Sequence, residues 1–190
     1  MQRKWQKSML SEIIDKIKQI KKDNIIVAID GRCGGGKSTL ATELSKNINC
    51  NVIHMDDFFL RPEQRTTERL STPGENVDHE RFLGEVLIPL RENKPFSYRP
   101  FSCKSQALGE VVEIEPKPVT IVEGSYSCHP KLWDYYDLRI FVDIDSDEQM
   151  KRIINRNGAE SAQVFKNKWI PLEEKYFKAY EIKNKCDIVI

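Results

Sequence analysis

Residues 31–38 read Gly31-Arg32-Cys33-Gly34-Gly35-Gly36-Lys37-Ser38 and fit the pattern G-x-x-x-x-G-K-[ST]. Its glycines free the backbone to curl so that successive N–H groups face one concavity. A helix starting near Lys37 adds unpaired amides and the positive end of its dipole. Such a cradle suits the phosphates of a nucleoside triphosphate, with Lys37 on the β- and γ-phosphates and the Ser38 hydroxyl at a Mg²⁺ position. The expected nucleotide contacts are Gly31, Gly34, Gly35, Gly36, Lys37, Ser38 and Thr39. A flexible glycine-rich turn with a chance Lys-Ser is the bland alternative. The apolar run IIVAID before the motif and the helical pattern after it favour the cradle. Cys33, beside Arg32, Lys37 and the helix end, is expected either as an accessible thiol inclined to ionise or as a small buried brace of the loop.

A triphosphate site alone does not distinguish a kinase from a GTPase or a motor. The run VTIVEG ends on Glu123 and a glycine rather than on the acidic pair usual in motors and ATPases. Asp56 and Asp57 directly follow the short run NVIHM. If that run is a strand of a parallel sheet, both acids face the crevice beyond the strand ends where the phosphate loop also lies. Transfer of a phosphoryl group to an alcohol needs a carboxylate near the attacking hydroxyl and a metal to spread charge. Asp56 or Asp57 could be that base, and Glu123 could hold Mg²⁺ directly or through water. An Asp-Asp at a strand end could also be a simple helix cap.

These residues need a scaffold, and the chain has the length for one. At 190 residues it predicts a single domain spanning 1–190. Residues 1–24 pattern as a helix, 37–48 as another, 51–55 as a strand and 61–78 as an exposed loop with Pro73-Gly74. A helix over 79–93 contains Pro89, which should kink or end it. Residues 96–115 read as a β-hairpin excursion, and 119–124, 138–144 and 186–190 as further strands. Helices are expected at 128–136, 146–157 and 161–181. Strands alternating with helices predict an α/β fold, a three-layer sandwich around a parallel sheet of about five strands.

Composition narrows the class. Thirty Lys and Arg against 29 Asp and Glu leave a net charge of +1, which argues against a nucleic-acid coat or a polybasic membrane anchor. No apolar run reaches the ~18 residues a membrane span requires, and no signal peptide is legible. Five scattered cysteines without C-x-x-C disfavour a disulfide scaffold or a zinc ribbon. The expected setting is cytoplasmic. The tryptophans at 5, 133 and 169, with His54 and His129, read as packing or surface residues without chemistry.

The strings D-D-F-F at 56–59, N-V-D-H-E-R-F at 76–82, V-E-G at 122–124, L-R-I-F-V-D-I-D-S-D at 138–147 and K-R-I-I-N-R at 151–156 follow one another in order. With W-I-P-L-E-E-K-Y-F and the final C-D-I-V-I, they resemble the uridine kinase branch of the P-loop kinases, which includes phosphoribulokinase and bacterial pantothenate kinase. The resemblance runs from about residue 25 to 190. It implies a P-loop NTPase fold with a helical lid at about 150–165, and ATP-dependent phosphorylation of a primary hydroxyl, most simply a nucleoside's. Asp56 then matches the catalytic acid, and Ser38, Glu123 and Asp56 the Mg²⁺ neighbours. Asp78 matches an acid that holds ribose hydroxyls, against its plain reading as a helix cap. Tyr98 matches an aromatic that packs around the base, against a packing role on its strand. Arg152 and Arg156 match the lid arginines, against a solvated helix face. Three departures fall away from the phosphate loop: Cys103 where uridine kinases carry a base-reading histidine, Phe59 for a tyrosine, and N-G-A-E-S-A-Q where the lid normally has further arginines. The other readings are a kinase for a different hydroxylated metabolite, such as pantothenate or a sugar phosphate, and a nucleotide-binding regulator without phosphotransfer. The oligomeric state is not legible.

Overall fold

The computed structural model describes residues 5–190. The chain opens with helix α1 (Lys7–Gln19), strand β1 (Ile25–Gly31), helix α2 (Lys37–Ser45) and strand β2 (Cys50–His54). Short helix α3 (Thr67–Ser71) precedes a helical stretch made of α4 (His79–Phe82), a π turn (Leu83–Leu87) and α5 (Ile88–Arg91). Strands β3 (Phe96–Tyr98), β4 (Phe101–Ser102), β5 (Ala107–Leu108) and β6 (Val112–Ile114) form the hairpin, β3 pairing with β6 and β4 with β5. Then come β7 (Val119–Glu123), β8 (Leu138–Val142), α6 (Ser146–Val164), a second π turn (Phe165–Trp169), α7 (Ile170–Tyr180), α8 (Ile182–Lys185) and β9 (Ile188–Val189).

The main sheet has five strands in the order β2-β7-β1-β8-β9, every pair parallel. All seven residues of β1 are buried, because helices cover both faces. Its side chains alternate accordingly. Ile25, Val27 and Ile29 pack with Ile13, Ile17, Leu40 and Leu44, while Ile26 and Ala28 pack on the other face with Phe58, Phe82, Tyr126 and Tyr176. Each such aliphatic side chain contributes roughly 2 kcal/mol of burial. The three-layer reading therefore holds. No helix among the described residues is long and apolar enough to cross a membrane.

Several local expectations need correction. The first helix covers Lys7–Gln19, shorter than 1–24, because Ile20 is already extended; residues 1–4 lie outside the described residues. The 61–78 segment is not simply an exposed loop. It contains α3, and a bridge between Phe59 and Val77 pulls Asn76 and Asp78 into the protein. No α-helix forms over 128–136, only a single 3₁₀ turn at Trp133–Tyr135. Pro130 disfavours helical backbone at His129, and the amides of Tyr126 and Cys128 are taken by the Asp30 carboxylate. The two helices expected at 146–157 and 161–181 run on from one another, broken at Gly158, whose φ of 82° and ψ of 161° are not helical.

Both prolines inside helical stretches share one solution. Pro89 and Pro171 lie at the starts of α5 and α7, each just after a π turn. A proline ring crowds the carbonyl four residues back and offers no N–H. The wider π winding moves that carbonyl away and lets the helix continue.

Candidate active site

The chain order around β1 creates the crevice. β7 lies on one side of β1 and β8 on the other, so the loop leaving β1 at Gly31 opens between their carboxyl ends. Gly31 must be glycine: a Cβ there would sit 2.1 Å from the Val142 carbonyl oxygen, and its φ is +128°. The loop stays in this narrow slot and turns into α2 through Gly36, whose left-handed φ of 104° makes it the N-cap.

A cavity of about 860 Å³ lies over the loop. Gly34, Gly36, Lys37, Ser38 and Thr39 line it, together with Asp56, Glu123, Arg152 and Arg156 from distant parts of the chain. Gly31 and Gly35 shape the loop from behind. Lys37 is buried, its Nζ donating to the carbonyls of Gly31 at 2.6 Å and Arg32 at 3.1 Å and lying 3.4 Å from Ser125 Oγ. Ser38 Oγ donates to Glu123 Oε2 at 3.1 Å.

The two adjacent acids differ. Asp57 accepts a hydrogen bond from the Tyr98 hydroxyl at 3.2 Å. The Asp56 carboxylate has no hydrogen-bond donor among the described residues and opens into the cavity. Although solvent reaches it, the enclosing cavity floor pushes its pKa up; Lys37 and His54 oppose this, and Glu123 and Glu173 reinforce it. A free, cavity-facing carboxylate beside a buried lysine can accept a proton. The oxygens of Ser38, Glu123 and Asp56 also form the all-oxygen donor set that suits Mg²⁺.

Arg152 and Arg156 reach the cavity from α6. Arg152 is braced by Glu148 at 2.9 Å and lies against the Gly34 and Gly35 carbonyls at 3.3 and 3.4 Å. Arg156 sits over the Phe165 ring. The structure does not bring Asp78 and Tyr98 into this cavity. Asp78 is 2% exposed; it caps α4 through the Arg81 amide and accepts from Gln64 Nε2 at 2.8 Å. Tyr98 is buried against Phe58. From the hairpin, Cys103 and Gln106 line the cavity instead.

Sequence reasoning missed several residues in or beside the cavity. His54 donates from Nδ1 to Glu123 Oε1 at 2.6 Å, and this bond, with the Glu123, Asp57 and Asp56 charges, raises its pKa against the effect of burial. Its place at the end of β2, two residues before Asp56, was the available signal. Glu173 had none: it comes from α7, accepts the Cys33 amide at 3.0 Å and the Ser125 hydroxyl at 2.6 Å, and is 4% exposed. Trp169, read as packing, lines the cavity with Lys168 and Phe165. Cys33 lines the cavity and is only partly buried, but its surroundings oppose the thiolate form. Burial and the Glu173 carboxylate push its pKa up to about 12, outweighing Lys37, and Gln149 Nε2 lies 3.4 Å from its Sγ.

The uridine kinases of Staphylococcus aureus strains JH9 and Newman are each 30% identical over 150 residues, covering 73% of this chain and 71% of the relative. No family model matches. Among solved structures, a possible uridine kinase from Bacillus stearothermophilus superposes with a TM-score of 0.72 at 19% identity, covering 96% of this chain and 97% of its own. That likeness is one of fold. The similarity to the Staphylococcus enzymes extends well beyond a single phosphate loop, and on that extent the chain belongs to the uridine kinase family of P-loop kinases.

Proposed function

We propose that the protein transfers the γ-phosphate of ATP to a primary hydroxyl of a small molecule, with a nucleoside as acceptor. One observation carries this reading: Asp56, with no hydrogen-bond donor among the described residues, shares a single cavity with Lys37, Ser38 and both lid arginines. The cavity continues past the phosphate loop into a region lined by Phe59, Leu60, Leu70, Asn76 and Tyr126, which leaves room for an acceptor. Membership of the uridine kinase family supports a nucleoside there.

In this reading the loop amides and Lys37 hold the phosphates, and Lys37 leaves its carbonyl contacts to do so. Asp56 orients the acceptor hydroxyl and takes its proton as the new O–P bond forms and the bond to the ADP oxygen breaks. Its raised pKa moves it toward the range where a base works well. Arg152 and Arg156 balance charge on the transferred group and exclude water, which would otherwise compete as acceptor. Ser38, Glu123 and Asp56 would hold Mg²⁺, which supplies charge neutralisation on the phosphate oxygens. Asn76 and Tyr126, hydrogen-bonded to each other at 2.8 Å, are the polar groups placed to meet sugar hydroxyls. Asp78 supports that wall from behind as the α4 cap.

The deciding experiment is ADP release with Mg-ATP against a panel of nucleosides, pantothenate and sugar phosphates, with a no-acceptor control. Release that depends on a nucleoside supports the proposal. Release only with another panel member replaces the acceptor, and release without any acceptor makes the protein an NTPase.

A further inference from the structure

Both oxygens of Glu123 are engaged, by partners from different elements. Oε2 accepts from the Ser38 hydroxyl at 3.1 Å, and Oε1 accepts from His54 Nδ1 at 2.6 Å. The carboxylate is nearly enclosed, with 5% of its side chain exposed, whereas the His54 ring is half-exposed. The juxtaposition is built into the sheet: in the parallel register of β2 and β7, His54 is the partner of Glu123. Because the carboxylate can only accept, Nδ1 is the donor, and the imidazole presents one fixed N–H along the strand pair.

A carboxylate with one oxygen held this way has a restricted choice. It can turn Oε2 toward the Ser38 side, but it cannot offer both oxygens to one cation without giving up the imidazole. Mg²⁺ is small, demands near-octahedral geometry and is served by single oxygens, whereas Ca²⁺ accepts more ligands and bidentate carboxylates. Hydrogen-bonding partners of metal-ligating carboxylates set their orientation, and removing them typically costs about 10–100-fold in metal affinity.

We propose that His54 is a positioning residue that pins Glu123 through Oε1, turns Oε2 toward Ser38, and thereby favours Mg²⁺ over Ca²⁺ in the nucleotide complex. The inference rests on the reading of Ser38 and Glu123 as cation neighbours.

The test is calorimetric and needs no turnover. ADP affinity is measured on the full chain with EDTA, with saturating Mg²⁺ and with saturating Ca²⁺; each ratio to the EDTA value is that cation's contribution. His54→Ala should reduce the Mg²⁺ ratio about 10-fold, reduce the Ca²⁺ ratio less, and leave the affinity in EDTA unchanged. His54→Asn, which keeps an N–H donor near the Nδ1 position, should restore the Mg²⁺ ratio to within about threefold of wild type, well inside that 10-fold loss. Thermal melts without cation verify that both variants fold, as a half-exposed side chain should permit. Glu123→Gln is the control for the underlying reading. If it abolishes the Mg²⁺ ratio while His54→Ala preserves it, the His54 proposal alone is overturned. If Glu123→Gln leaves the ratio intact, the cation role of Glu123 falls and the proposal with it. Equal losses in His54→Ala and His54→Asn also overturn it, since the hydrogen bond would then not be the cause.

Discussion

Asp56 and Asp57 share a chemistry and a neighbourhood but not their partners. The Tyr98 hydroxyl occupies an oxygen of Asp57, whereas Asp56 opens into the cavity. Asp56→Asn should therefore lower kcat by about 10² or more, the usual scale of general-base and positioning effects, and leave ATP affinity within a few-fold. Asp57→Asn should cost much less, and Lys37→Ala should weaken nucleotide binding as well as turnover. Steady-state kinetics with nucleotide-binding measurements check all three; normal turnover by Asp56→Asn alongside an inactive Asp57→Asn would exchange their roles. At the same scale, the five thiols should react unevenly. Cys103 is exposed, whereas Cys33 is partly buried with its pKa pushed up to about 12. Brief iodoacetamide treatment followed by peptide mapping should label Cys103 first and Cys33 slowly, with or without Mg-ATP. Preferential labelling of Cys33 in the nucleotide-free protein would contradict the burial argument.

Between elements, Asp30 is the junction. Its carboxylate is fully buried at the end of β1 and accepts from the amides of Gly31, Tyr126 and Cys128 and from the Tyr176 hydroxyl. One side chain thereby ties the phosphate loop to the segment after β7 and to α7. Four donors converge on an acceptor-only group, so an amide of the same shape cannot replace it. Asp30→Asn should turn an NH₂ group toward donors and lower stability by roughly 3 kcal/mol, the upper range for leaving buried polar groups unsatisfied. A urea titration with unchanged slope and a lower midpoint is the expected result. α7 holds the loop a second time through Glu173 on the Cys33 amide and Glu174 on Arg32 Nε at 2.6 Å. The helical stretch that carries Arg152 and Arg156 is thus anchored to the phosphate loop.

For the molecule as a whole, two buried groups give stability opposing pH dependences. Burial, with the neighbouring His79, pushes the His129 pKa from an ordinary 6.5 down to about 3. Between those values the unfolded chain binds a proton that the folded chain refuses, so this contribution is complete above pH 6.5 and is lost as pH falls. From pH 7.5 to pH 5 the loss is about 2 kcal/mol. Asp30 acts with the opposite sign. Burial lifts its pKa from an ordinary 3.8 to about 6, against the pull of its amide partners and Lys37. The folded state then binds the proton more readily, so this contribution favours folding as pH falls over the same range. The two contributions therefore oppose one another as pH falls. Removing one should expose the other: His129→Gln should gain about 2 kcal/mol relative to wild type between pH 7.5 and pH 5, read from denaturation at both values. A difference that stays constant with pH would mean that His129 is protonated in the folded protein.

Local pattern determined the phosphate loop, the five strands of the main sheet, the hairpin and the acidic pair. Each depends on interactions within a few residues: glycine conformational freedom, apolar runs of strand length, and a lysine and serine placed at a helix start. The same local reading could not see which strands become neighbours. The insertion of β7 between β2 and β1 sets His54 against Glu123, and the return of α7 brings Glu173 to the Cys33 amide. It was equally blind to the burial of Asp78 and Tyr98 behind the cavity wall, which follows from the Phe59–Val77 bridge and from packing on Phe58. Glycine loops and strand periodicity are properties of contiguous chain. The charge state of Cys33, the choice between Asp56 and Asp57, and the partner of His54 depend on groups remote in sequence, whose distances exist only once the chain has folded.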